Sequence, residues 1–138
     1  MKKHLFVTVI VLFLAATVAN ACCVDIDIKP GSDQNKINPG SGGLTAVAIL
    51  TTCSFDATRI DPSTCYMLGP NTRNGGAPAE QNMLQDVDND GDLDMVLKFR
   101  TNQTGIEHGD QSASVIGNTD VGESFSGNDG ITTVGSGQ

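Results

Sequence analysis

The sequence predicts an all-β fold, a small antiparallel β-sandwich of about seven or eight strands. Apolar and polar residues alternate along 24–29 and again along 93–100, which is typical of strands that bury one face. Stretches rich in glycine, proline and asparagine separate such segments at short intervals. No segment of useful length has the periodicity of a helix. Short strands joined by frequent turns favour an immunoglobulin-like sandwich.

The individual strands are predicted in chain order. The first, at 24–28, ends at Pro30-Gly31, and a polar loop over 32–43 follows. The run 44–50 is continuously apolar, as expected of a central strand covered on both faces. The segment 55–60 is ambiguous. Later strands are predicted at 64–68, 81–85, 93–99, 112–116, 123–126 and 131–134.

The N-terminal segment 1–21 has the parts of a secretory signal peptide: a basic start, an apolar run over 5–18 and small residues at its end. The apolar run is shorter than the about 20 residues that a membrane span needs, so we expect cleavage rather than an uncleaved anchor. Residues 22–138 then form one domain that is secreted, extracellular or held at the cell surface, with the periplasm as an alternative. A lipid anchor at Cys22 is a second alternative, although Ala19 and Asn20 fit a lipoprotein signal poorly.

The charge of the chain is strongly acidic. Sixteen acidic residues stand against eight basic ones, for a net charge of −8. Such a surface repels nucleic acid and anionic lipid and attracts cations. We therefore expect cation binding, and neither a nucleic-acid partner nor a membrane span.

Four cysteines follow the predicted signal peptide, and in an exported protein they are expected to pair. Cys22 and Cys23 are adjacent, and a bond between them would be strained. Four cysteines allow three pairings, and the sequence alone does not choose among them. A Cys53–Cys65 disulfide closing a short loop is one arrangement that fits, with Cys22 and Cys23 free or joined to other chains. A zinc site is disfavoured because the chain has no CxxC pair and His108 is the only histidine after residue 21.

An acidic loop, DVDNDGDLD, occupies Asp86–Asp94 and carries the strongest functional signal. Calcium takes six to eight oxygen ligands, and Gly91 permits the sharp turn that brings later ligands round to earlier ones. An EF-hand is excluded, because its twelfth position is Leu97 and the residues that follow alternate as a strand does. Magnesium is disfavoured, since it requires a rigid octahedral site. The predicted calcium ligands are Asp86, Asp88, Asp90, Asp92 through its backbone carbonyl, and Asp94.

The alternative interpretation of this loop is a solvated acidic turn, because short motifs do match by chance. Against it, five neighbouring carboxylates repel one another, and a divalent cation relieves that repulsion. Weaker candidates for a second ion are more typical of ordinary turn chemistry. They are Asp33 with Asn35 and Asn38, Glu107 with Asp110, and Asn128 with Asp129.

Residues 23–134 resemble a recurrent, poorly characterised module of exported bacterial and archaeal proteins. The similarity runs in order through VDIDIKPGS (24–32), VAIL (47–50), FDATRIDPST (55–64), DVDNDGDLDMVLKFRTNQTGI (86–106), GD (109–110) and IGNTDVGESFSGNDGITTV (116–134). The acidic loop is similar to the DxDxDGxxD loops of integrin-type propeller blades, in which the last aspartate closes the coordination sphere. The resemblance implies a β-sandwich accessory domain with calcium on the loop aspartates. The four cysteines are not part of the module's pattern.

The function expected is that of a calcium-binding structural or adhesion module of the cell surface or extracellular matrix. Its partners would be the calcium ion, further copies, other surface proteins or polysaccharide. An exposed edge strand could accept a strand from a neighbour, so that copies assemble into filaments with 24–28 as the donor. The alternative is a calcium-stabilised carbohydrate-binding module. An enzyme is not expected, since His108 is the only candidate base for a nucleophilic triad and its setting is typical of a surface loop. A carboxylate pair for glycoside hydrolysis stays open as an alternative, although metal binding explains the clustered acids better.

Overall fold

The computed structural model describes residues 22–135, which contain ten β-strands and two short 3-10 turns joined by loops. The predicted signal peptide at 1–21 lies outside the described residues. The all-β prediction is confirmed. Within the described range no helix is long and apolar enough to cross a membrane. The strands are β1 (Cys22–Cys23), β2 (Ile26–Ile28), β3 (Lys36–Ile37), β4 (Leu44–Ile49), β5 (Ile60–Leu68), β6 (Ala77–Gln85), β7 (Asp94–Arg100), β8 (Ser112–Thr119), β9 (Ser124–Gly130) and β10 (Thr132–Thr133). The 3-10 turns span Ala57–Arg59 and Thr101–Gln103.

Eight of these strands form one curled sheet in the order β1-β9-β8-β5-β6-β7-β4-β2, and β10 pairs with β3. The pairings within the curled sheet are antiparallel except β1 with β9. The arrangement is consistent with a small β-sandwich, although the strands are hydrogen-bonded into one continuous sheet.

The N-terminal segment 22–28 supplies both outer strands of the curled sheet. Its first part pairs with β9 and its last part with β4. Between them, the N–H of Val24 donates to the carbonyl of Ser126, and Asp25 accepts a bond from the N–H of Leu50. One extended segment therefore bridges the two edges of the sheet, and the predicted exchange strand is paired within its own chain.

The core consists mainly of aliphatic side chains that alternate along the strands. On β7, Met95, Leu97 and Phe99 are buried, as the alternation predicts, and the outward-facing Val96 is buried as well. Phe125 on β9 is the other fully buried aromatic residue of the described part, and Phe55 packs against it with ring centroids 5.6 Å apart. The rest of the core is built mainly from Val, Ile, Leu, Met and Ala side chains.

The expectation of paired cysteines, with Cys53–Cys65 as one arrangement, is wrong, because all four cysteines are free thiols. Cys65 points into the core from β5, and its thiol donates to the carbonyl of Asp61 at 3.5 Å. Cys53 is exposed in the turn that follows β4. The two cysteines are close in sequence, but Cys65 faces the core and Cys53 faces solvent.

Strand β6 changes partners along its length, and this positions the acidic loop. At its start, Ala77 and Pro78 pair with Met67 and Tyr66 of β5. After an irregularity between Ala79 and Gln81, β6 pairs with β7 alone, as far as Gln85 opposite Asp94. The acidic residues 86–93 therefore form the tip of a β6–β7 hairpin.

Candidate metal centre

The acidic loop is folded around the carboxylate of Asp86. The backbone N–H groups of Asp90 and Gly91 donate to its two oxygens at 3.2 and 2.9 Å. Two residues with left-handed backbone, Asn89 (φ 59°) and Gly91 (φ 95°), turn the chain back toward Asp86. Glycine and asparagine are the residues that tolerate this conformation, so the local sequence explains the turn.

Three carboxylates converge inside this turn. Asp86, Asp88 and Asp94 each offer one oxygen, and these oxygens lie within 4.8 Å of one another. Asp94 is fully buried, Asp86 is half-buried and Asp88 is exposed. A cation seated between them would contact a fixed ligand on the protein side and a more accessible one on the solvent side. The cluster can therefore hold a metal ion.

Asp94 is held in place by backbone donors from two other segments. Its Oδ1 accepts the N–H of Thr51 at 2.9 Å, and its Oδ2 accepts the N–H of Val87 at 3.0 Å. A buried carboxylate needs such partners, and each oxygen retains a second lone pair. Asp94 therefore joins three segments whether or not an ion is bound.

The crowding of negative charge is evident at Asp88. Loss of hydration raises the pKa of this carboxyl, and the neighbouring Asp90, Asp94 and Asp86 raise it further. Carboxylates that share a site disfavour one another's ionised form, and a divalent cation reverses that effect. The loop is thus electrostatically suited to a cation.

The two remaining predicted ligands lie outside the three-carboxylate cluster. Asp90 is exposed, and its Oδ1 accepts the N–H of Asp92 at 2.9 Å. Asp92 is exposed as well. A side-chain role for Asp90 and a carbonyl role for Asp92 stay predictions.

Sequence reasoning missed Thr51, which supports the cluster from the end of β4. Besides its N–H bond to Asp94, its hydroxyl donates to the carbonyl of Leu93 at 2.7 Å and accepts the N–H of Ala57 at 2.9 Å. Nothing in the acidic pattern could have indicated it, because the contact depends on the pairing of β4 with β7.

The weaker acidic candidates mainly stabilise turns. The N–H of Glu107 donates to Asp110 at 2.8 Å, and the N–H of Gly40 donates to Asn38 at 3.1 Å. Asp129 accepts the N–H of Ile28 at 2.9 Å and the side-chain amide of Asn35 at 3.1 Å. These contacts fasten the first loop and β2 to β9.

An open groove of about 500 Å³ lies beside the acidic loop. Its lining combines apolar Met83 and Val96 with Lys98 and with the loop residues Asp86 and Val87.

No protein-family model, no curated protein and no solved structure matches this chain. The site is therefore interpreted from its own geometry.

Proposed function

We propose that the acidic loop binds calcium and that the chain is an exported structural or adhesion module of the cell surface or extracellular matrix. The observation that carries the calcium proposal is the convergence of ligand oxygens of Asp86, Asp88 and Asp94 within 4.8 Å at the tip of the β6–β7 hairpin. Carboxylate oxygens are the ligands that calcium prefers.

Calcium fits this donor set better than other metals. The cluster has no nitrogen or sulfur donor, which disfavours zinc. An exposed Asp88 gives one side of the site the flexibility that calcium accepts and magnesium does not. The coordination would be completed by Asp90, the carbonyl of Asp92 and water.

Calcium would act mainly as a structural clamp. By binding Asp86, Asp88 and Asp94 together it would close the acidic loop onto the start of β7. An ion present at about 100 times its dissociation constant adds about 2.7 kcal/mol to the free energy of unfolding. For a small domain with a modest core, that contribution is a large part of total stability.

The structural or adhesion role is supported by the resemblance to exported modules, by the predicted signal peptide and by the acidic surface. Self-assembly into filaments by strand exchange belongs to the same proposal, with 24–28 as the donor. Such exchange would move the pairings of this segment with β4 and β9 onto a neighbouring copy. Size-exclusion chromatography in calcium and in EGTA tests it, and a monomer under both conditions would remove the filament proposal.

A calcium-stabilised carbohydrate-binding module is the second candidate, and the groove beside the loop favours it. Its volume of about 500 Å³ falls in the range of small-molecule sites. The groove has no aromatic lining residue on which a sugar ring could stack. A glycan array together with a pull-down on insoluble polysaccharide tests this candidate. Absence of binding in both assays would contradict it.

The calcium proposal is tested by thermal melts in calcium, magnesium and chelator, combined with native mass spectrometry to count bound ions. We expect calcium to raise the melting temperature more than magnesium does. Asp88→Asn should abolish the response, whereas Glu123→Gln, at an exposed acid in the turn between β8 and β9, should keep it. A melting temperature that does not change with calcium, with no ion seen by mass, would contradict the proposal.

A further inference from the structure

One stretch of β6 has a free edge. From Gln81 to Gln85, β6 is hydrogen-bonded to β7 on one side, while β5 pairs with β6 only at Ala77 and Pro78. Within residues 22–135 no strand is paired with the other side of this stretch. All of 80–85 is exposed, including Met83 at 49% and Leu84 at 45%. The backbone groups on this side are thus available to another strand.

This edge lacks the features that usually protect a sheet edge. Residues 81–85 contain no charge, no proline and no glycine. Charged side chains, proline and irregularities are the usual protection against pairing with another chain. The irregularity before Gln81 lies at the beginning of the stretch and leaves 81–85 regular. An unprotected edge with two exposed apolar side chains is a surface for strand addition.

One acidic residue lies at each end of the edge. Glu80 receives two hydrogen bonds from Arg100, at 2.6 and 3.1 Å. Asp86 belongs to the metal cluster. Between these two residues the edge is neutral, although the chain as a whole carries a net charge of −8.

We propose that this edge of β6 pairs antiparallel with the same edge of a second copy, giving a two-fold symmetric dimer with one continuous sheet. Two acidic copies repel each other over most of their surfaces, and a neutral edge lets their backbones approach. A two-fold axis near Met83 places neutral residues of the two copies opposite one another. The apolar side chains of Met83 and Leu84 lose exposure on both faces of the new sheet.

The same geometry couples pairing to calcium, and this part rests on the proposed calcium function. Just beyond the regular pairing of 81–85, this register brings Asp86 of one copy near Glu80 of the other. Like charges that face each other across a pair of strands destabilise the pairing. Calcium on the loop neutralises Asp86, so the dimer should be stronger with calcium than without it. Because the pairing closes on itself and leaves 22–28 in place, it produces dimers rather than filaments.

The test measures the mass in solution of residues 22–138, the chain without its predicted signal peptide. Light scattering is recorded at several protein concentrations in calcium and in EGTA, with a reductant present to keep the cysteines reduced. We expect twice the monomer mass in calcium and a larger monomer fraction in EGTA. Met83→Lys and Met83→Glu should each be monomeric, and an equal mixture of the two should regain the dimer. Val121→Lys, which replaces a side chain 67% exposed on another loop, should behave as the unmodified chain does.

Melting curves first establish that each variant is folded. If the Met83 variants unfold, the Leu84→Lys and Leu84→Glu pair replaces them. A monomer at every concentration in calcium, with the ion seen by native mass, would overturn the dimer and leave the calcium function intact. A dimer that is lost in the Met83 variants but is equally strong with and without calcium would support the β6 edge as the interface and contradict the effect of calcium. Dimers that persist in both charged variants would contradict the β6 edge as the interface.

Discussion

The backbone N–H of Thr51 donates to Oδ1 of Asp94 at 2.9 Å, joining two residues 43 positions apart. The bond fixes the buried carboxylate of the candidate metal centre to the segment that follows β4. Asp88, on the other side of the cluster, is exposed and has no such anchor to the core. The centre therefore combines one rigid ligand with an adjustable one, and replacing either should have a different result.

Asp94→Asn should destabilise the domain even without calcium. The amide that replaces one carboxylate oxygen would face a backbone N–H, either of Thr51 or of Val87, and leave that donor without an acceptor. A buried unpaired donor costs about 1–3 kcal/mol. Denaturant unfolding of the metal-free protein measures the loss, with Asp88→Asn as the matched control that should be no less stable than the unmodified chain. Equal stabilities for the two variants would contradict the anchoring role of Asp94.

The stabilisation that calcium provides should shrink on acidification. The pKa of Asp88 is raised by lost hydration and by its carboxylate neighbours. A raised carboxyl pKa means that this group favours the fold when protonated, and that its contribution is lost as the pH rises through the raised pKa. Acidification through that window therefore relieves repulsion in the metal-free loop and removes a charge that the ion needs.

The measurement is the difference in melting temperature between calcium-loaded and metal-free protein, followed from about pH 7 down to about pH 4, where ordinary aspartates titrate. Asp27, whose pKa is also raised, by burial and by Asp129, changes both states alike and cancels in the difference. We expect a smaller difference at the lower pH. A difference that is constant across this range would show that Asp88 does not bind the ion.

The sequence predicted the parts of the fold that depend on local pattern. Alternation located β7, and the spacing of aspartates located the loop, because both signals lie within a few consecutive residues. It failed where distant strands decide the outcome. Thr51 reaches Asp94 only because β4 lies beside β7, and β6 begins four residues before its predicted start because β5 pairs with Ala77 and Pro78. The face on which Cys65 lies was likewise set by packing.

Three of the four thiols should react in the native, reduced protein. Cys22, Cys23 and Cys53 are exposed, whereas burial of the Cys65 thiol raises its pKa to about 11. The thiolate is the reactive form, so Cys65 should be protected twice, by exclusion of the reagent and by protonation. Titration with a thiol reagent should count three groups before denaturation and four after. Four fast-reacting groups in the native protein would show that Cys65 is not in the core.

Gly127→Ala should loosen the N-terminal segment from the sheet. A Cβ at this position would lie 2.6 Å from Cγ2 of Ile26 and 2.8 Å from the carbonyl oxygen of Val24. Because the second contact is with backbone, the segment must shift, at a cost of about 1–3 kcal/mol. Gly130→Ala on the same strand is the matched control, since its Cβ would meet only the Gln111 carbonyl oxygen at 3.8 Å.

Denaturant unfolding measures the cost of the Gly127 substitution, and amide hydrogen exchange shows where the loss occurs. We expect faster exchange at residues 24–28 in Gly127→Ala and little change elsewhere. If strand exchange between copies operates, this variant should also form more of the larger species, because its donor segment is held less firmly in its own sheet. Unchanged stability and exchange in Gly127→Ala would mean that the close approach of 24–26 to β9 does not hold the segment in place.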